Sequence, residues 1–67
     1  GEEKINYVIQ INGKKRDLIK SEKNISEEKL LNQVKSSKVN EKYFENMEIK
    51  KIIFIKNRLI NIILNEK

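Results

Sequence analysis

The chain has 67 residues, a formal net charge of +5, and neither cysteine nor histidine. That length allows one domain with a thin core. The missing residue types exclude a disulfide scaffold, a Cys/His zinc site and histidine-based proton transfer.

Twelve isoleucines supply most of the apolar mass available for a core. The longest apolar runs, Ile52–Ile55 and Ile62–Leu64, fall far short of the about 20 residues that a membrane helix needs. No charged, apolar and small-residue leader pattern opens the chain. The expectation is a soluble, cytoplasmic, monomeric chain.

Residues 1–4 are charged and aperiodic and are expected to be a linker stub or a frayed end. Residues 5–65 form the single domain. Ile5, Tyr7, Ile9 and Ile11 alternate with polar or smaller residues, the period of a strand with one face on a core. Asn12-Gly13 follows, a pair that tolerates positive φ and favours a tight hairpin. The return strand is Lys14–Lys20.

Two registers fit this hairpin. A two-residue loop pairs Ile11 with Lys14 and puts Leu18 on the Tyr7/Ile9 face. A three-residue loop with a glycine bulge pairs Ile11 with Lys15 and puts Ile19 there. A one-residue slip flips a strand, and the Leu18-Ile19 pair accommodates either.

Residues 21–24 are polar and read as a loop. Ser26 suits a helix N-cap, with Glu27 and Glu28 in the first turn, where the helix dipole favours anions. Ile25 and Leu30 can close a staple across that cap. Leu30, Leu31 and Val34 give one apolar stripe. Ser37 can cap a second short helix whose inner face is Val39, Tyr43 and Phe44, and Asn46 suits the left-handed residue that ends it.

From Glu48 the period returns to two. Ile49–Ile55 and Arg58–Leu64 read as strands joined at Lys56-Asn57, with Asn57 at positive φ. If that loop has two residues, Ile49, Ile53, Ile55, Ile60, Ile62 and Leu64 share one face, and Ile52, Phe54, Leu59 and Ile63 the other. Both faces are then partly apolar, so the second hairpin is either covered twice or docks on something. The fold class is α+β: a four-stranded sheet from two hairpins, in ββααββ order, with two short helices on one face.

The positive charge is not spread evenly. Residues 12–20 carry a net +3 and residues 48–58 another +3, while the helical stretch 26–46 is neutral. A composition rich in Lys, Asn and Ile explains the total but not this segregation. Both arginines, Arg16 and Arg58, lie in the basic hairpins, and arginine can grip phosphate with two prongs. The partner implied is a polyanion.

Catalytic chemistry finds little support. The serines have no histidine to activate them. Glu27 and Glu28 are neighbours in a first turn, and their side chains diverge. Gly13 is the only internal glycine, so no phosphate-cradling glycine loop exists. Tyr7, Tyr43 and Phe44 sit on apolar stripes and are expected in the core rather than stacked on bases. Phe54 fits either role.

The segment Ile9-Gln10-Ile11-Asn12-Gly13-Lys14-Lys15-Arg16-Asp17 resembles the start of the C-terminal domain of bacterial-type leucyl-tRNA synthetases. There a strand runs into Gln-Val-Asn-Gly-Lys, one variable residue and then Arg. Ile49–Ile55 is similar to the family's basic-then-aliphatic strand. Arg58-Leu59-Ile60-Asn61-Ile62-Ile63 is similar to its last strand with the Leu–x–Asn spacing, and Ser26-Glu27-Glu28 matches its helix opening. The resemblance spans about Tyr7 to Leu64. It departs at three turns: Lys56-Asn57 stands for Pro-Gly, Ser21–Asn24 lacks a Pro, and Asn46 stands where Gly is common.

The resemblance implies a non-catalytic, tethered domain that contacts the outer corner or variable arm of a leucine-accepting tRNA. It implies a parent class I ligase whose other domains use ATP, with no cofactor in this piece. Lys14, Arg16, Lys50, Lys51, Arg58 and Asn61 occupy matching positions that could contact tRNA, and Lys15 joins them on charge alone. Two alternatives compete. One is a protein-docking module working through the apolar face of the second hairpin. The other is a stand-alone nucleic-acid-binding protein.

Overall fold

A computed structural model describes residues 3–67, with strands β1 Lys4–Ile11, β2 Lys14–Glu22, β3 Met47–Ile55 and β4 Leu59–Glu66. Helix α1 spans Glu27–Ser36, and a 3₁₀ turn at Lys38–Asn40 leads into the short helix α2, Glu41–Phe44. Gly1 and Glu2, half of the expected linker stub, lie outside the described residues. Lys4 already pairs with Glu22, and Lys23 N–H donates to the Glu3 carbonyl.

The two hairpins join through their inner strands, giving the order β2-β1-β4-β3. β1 and β4 run parallel, with Ile9 opposite Ile60 and Ile11 opposite Ile62. The alternating side chains Tyr7, Ile9, Ile11, Ile60, Ile62 and Leu64 are all buried on one face, where Leu30 and Val34 of α1 and the loop residue Ile25 cover them. Each such aliphatic burial stabilises the fold by about 1.5–3 kcal/mol. Ile19, Ile52, Phe54, Tyr43 and Phe44 pack around the margin.

The Ser26 hydroxyl accepts the Lys29 N–H at 3.1 Å, so the predicted N-cap forms. The second helix starts differently from expectation. Ser37 makes no side-chain cap, and Val39 is 60% exposed. The 3₁₀ turn, with about three residues per turn, shifts the phase so that Asn40 points inward instead. Its Nδ2 donates to Asp17 Oδ2 at 2.9 Å and to the Val34 carbonyl at 3.3 Å.

Neither predicted register of the first hairpin is complete. The loop has two residues, with Ile11 opposite Lys14, yet Tyr7 lies opposite Ile19. A bulge at Arg16 reconciles the two: Gln10 pairs with Lys15 and Ile9 with Asp17, so Arg16 is the extra residue. Leu18 is thereby turned to the outer face, where it is 48% exposed.

The second hairpin corrects the conditional face assignment. Its loop has three residues, Lys56–Arg58, with Ile55 opposite Leu59 and Arg58 N–H donating to the Ile55 carbonyl. Phe54 therefore pairs with Ile60 and Ile52 with Ile62, which puts both on the core side. Ile53, Ile55, Leu59 and Ile63 share the uncovered face. A second bulge at Lys50 restores Ile49 opposite Leu64.

Candidate nucleic-acid interface

Apart from Lys4 at the start of β1, the strand lysines and the strand arginine belong to the edge strands β2 and β3. The sheet order sets these edges three strand spacings apart, about 14 Å. The end of the sheet at the Asn12-Gly13 turn gathers most of the predicted contacts. Lys14, Lys15 and Arg16 leave β2 there, and Lys50 and Lys51 leave β3 beside the bulge, all five exposed. Arg58 stands at the opposite end, in the loop whose carbonyl accepts Val8 N–H.

The two faces of the sheet divide these cations. Lys15, opposite Gln10, and Lys51, opposite Ile63, are on the uncovered face. Arg16, the extra residue of the bulge, faces the helices, and its guanidinium lies 5.2 Å from the centroid of the Tyr43 ring. Asn61 is held at the turn, where its Oδ1 accepts Gly13 N–H at 3.0 Å. Asn12 Oδ1 in turn accepts Leu64 N–H at 2.8 Å. The Asn12-Gly13 turn is thus bolted to β4, and its flanking cations stand on a rigid base.

The ion pairs among the described residues are Lys23–Glu3 and Lys29–Glu22. None of the seven predicted contact residues takes part in either. Asp17, the acidic neighbour of Arg16, has its carboxylate tied to Leu18 N–H at 2.8 Å and to Asn40.

Two features escaped the sequence reading. Lys42, part of a charge-balanced helix, has its ammonium 5.3 Å from the Tyr43 centroid and so joins Arg16 at one ring. The uncovered face also carries an aliphatic row across all four strands, Leu18–Val8–Leu59–Ile55, in direct register. The row could have been drawn from the alternation, but only with the strand order, the Arg16 bulge and the three-residue Lys56–Arg58 loop known. Among the described residues no group of three or more His, Cys, Asp and Glu side chains could hold a metal. No helix among them is long and apolar enough to cross a membrane.

These features define a small basic module with a mixed four-stranded sheet, helices on one face and cationic edges. No protein-family model matches the chain. It is 43% identical over 60 residues to a leucine–tRNA ligase of Chlamydia abortus, a match covering 90% of this chain and 7% of the ligase. A leucine–tRNA ligase of Buchnera aphidicola is likewise 43% identical over 61 residues, covering 91% of this chain and 7% of that protein. In three dimensions the chain superimposes with a TM-score of 0.86 and 27% identity on a leucyl-tRNA synthetase of Agrobacterium radiobacter K84, solved in a ternary complex with tRNA and LeuAMS. That match covers 94% of this chain and 8% of the synthetase. The chain is a homologue of the leucyl-tRNA synthetase domain that its two hairpins resemble, and it spans only about one-fourteenth of the curated relatives it matches.

Proposed function

We propose that the chain is the non-catalytic C-terminal, tRNA-holding part of a leucine–tRNA ligase. On this reading it grips the outer corner or variable arm of the tRNA through phosphates, while leucine activation and transfer occur elsewhere in the parent. The observation that carries the reading is the structural match to a synthetase solved with tRNA bound. The exposed cations without carboxylate partners agree with it. Lys14, Arg16, Lys50 and Lys51 supply the main phosphate contacts, with Lys15 and Arg58 on the flanks. Asn61 offers its Nδ2, since its Oδ1 already serves Gly13.

Phosphate contacts displace condensed counterions. With about four of them, the affinity of the chain for a leucine-accepting tRNA transcript should fall with a log–log salt slope of about −3 to −4. A slope near zero would contradict a phosphate-based grip.

One observation favours a second reading. The aliphatic row on the uncovered face, with Leu18 at 48%, Ile55 at 44% and Ile53 at 39% exposure, suits docking on a protein surface. Phe54 does not belong to this surface, because it packs on the core side. Leu59→Asp and Ile55→Asp test docking directly. They should leave the salt-dependent RNA affinity unchanged and abolish any salt-insensitive association with the parent's other domains.

A further inference from the structure

The side of the sheet that carries the helices holds a groove at the Asn12-Gly13 end. Lys14 and Arg16 of β2 and Lys42 and Tyr43 of α2 form its walls, and Ile11 and Leu64 lie at its base. Asn12, Glu45 and Met47 complete the lining, so the groove sets three cations against one carboxylate. Arg16 and Lys42 stand 5.2 and 5.3 Å from the centroid of the same tyrosine ring. Two cations drawn to one ring repel each other and gain only modestly from the ring in water. A shared anion would offset that repulsion.

The arrangement depends on specific backbone features. Arg16 stands two residues after Lys14, on the same side of β2, and the bulge at this position sets Asp17 rather than Arg16 opposite Ile9. Bulges re-aim a side chain at the expense of a regular ladder position. The one acidic residue next to it in sequence is held away, since Asp17 is occupied by Leu18 N–H and Asn40 Nδ2. Lys42 comes from the short helix that follows the 3₁₀ turn. The phase of that turn is held by the buried Asn40.

We propose that this groove is a phosphate subsite: Lys14, Arg16 and Lys42 hold one phosphodiester of an RNA backbone, and the Tyr43 ring fixes the two outer cations around it. The proposal rests on the tRNA-holding reading and adds to it a residue, Lys42, and a location on the helix side of the sheet. Tyr43 acts as a positioning residue. Its ring keeps Arg16 and Lys42 extended over the groove, so less rotamer freedom is lost when the phosphate arrives.

The test uses the whole 67-residue chain and a leucine-accepting tRNA transcript, titrated at several salt concentrations. Lys42→Gln should weaken binding about five- to ten-fold near 0.1 M salt and reduce the magnitude of the salt slope by about 1. The double variant Arg16→Gln/Lys42→Gln should reduce the slope by about 2. Tyr43→Phe should keep wild-type affinity, because the ring remains, while Tyr43→Leu should weaken binding at unchanged slope. Lys35→Gln, at an exposed position of α1 outside the groove, should change neither quantity. Lys42 is exposed, so its variant should melt like the wild type. If the wild type binds, Lys51→Gln reduces the slope and Lys42→Gln does not, the groove is overturned and the tRNA-holding reading survives. If the wild type shows no salt-dependent binding, both fall.

Discussion

At the residue scale, asparagine does the work of the turns. Asn12, Asn24, Asn46 and Asn57 all adopt positive φ, between 51° and 64°. Asparagine visits this region more readily than other non-glycine residues because its short side chain bonds locally. Three of the four fall in the turns where the sequence departs from the proline and glycine of the family pattern it resembles. They are not equivalent. Asn57 Oδ1 accepts Asn24 N–H at 2.6 Å and its Nδ2 donates to Asn24 Oδ1 at 2.9 Å. The Tyr7 hydroxyl, donating to the Glu22 carbonyl at 2.8 Å, stands 3.2 Å from the same Asn57 Oδ1. The final turn is therefore locked to the loop between β2 and α1. Asn46 makes no comparable side-chain bond among the described residues. Asn46→Gly should raise stability by up to about 1 kcal/mol, because glycine removes the left-handed penalty. Asn57→Gly should lower it by about 1–2 kcal/mol through lost hydrogen bonds. Urea melts of both variants check the opposite signs.

Asn40 belongs at the same scale. It is fully buried, and its Nδ2 bonds span Asp17 on the sheet and the end of α1, while Oδ1 lacks a protein partner. Asn40→Ala strips the donor from Asp17 and from the Val34 carbonyl. It should cost about 1–3 kcal/mol, read as a lower urea midpoint with little change in slope.

At the element scale, the hairpins carry charge for two reasons. β2 and β3 are the edge strands of the sheet, and exposed edges invite pairing with other chains unless lysines or bulges blunt them. Each edge here has both. The lysines that suit a polyanion therefore also guard against aggregation. Replacing Lys50 and Lys51 together by valine should give concentration-dependent oligomers on gel filtration. A persistently monomeric double variant would show that the bulge alone protects the edge.

The bulges also mark where legibility ended. Period-two alternation, the Asn-Gly turn and the Ser26 cap were readable because each is a local signal. The one-residue insertions at Arg16 and Lys50 were not, because a bulge is fixed by what the strand packs against. Consequently Leu18 could be assigned to a face only from the folded sheet, and Phe54 and Ile53 only once the Lys56–Arg58 loop was known to have three residues. Val39 was misplaced for a similar reason: a 3₁₀ turn changes the helical phase without announcing itself in composition. The candidate site was half legible. Lys14, Lys15, Arg16, Lys50 and Lys51 stand out from charge counts by segment. Lys42 does not, because its charge cancels locally and only the fold carries it to Arg16.

At the scale of the whole molecule, nine buried apolar residues among those described form the core, most of them isoleucine or leucine, on the two central strands, α1 and the loop before it. A chain of 67 residues has little stability to spare. Ile60→Ala, at the centre of the parallel pair, should cost about 2–5 kcal/mol. That loss should leave a substantial unfolded population at 25 °C by circular dichroism. The covered face serves stability, the edges and the Asn12-Gly13 end present cations, and the uncovered face offers an aliphatic row.

On the proposed reading, this division of labour suits a module that holds a partner while another part of the parent does the chemistry. The most direct test is kinetic: the tRNA Michaelis constant and the leucine-dependent exchange rate of the parent ligase, with and without residues 5–64. Removal should raise the tRNA Michaelis constant at least several-fold and leave leucine activation, which needs no tRNA corner, at its original rate. An unchanged tRNA Michaelis constant would contradict the holding role. A collapse of leucine activation in a still-folded remainder would show that the module contributes to the chemistry itself.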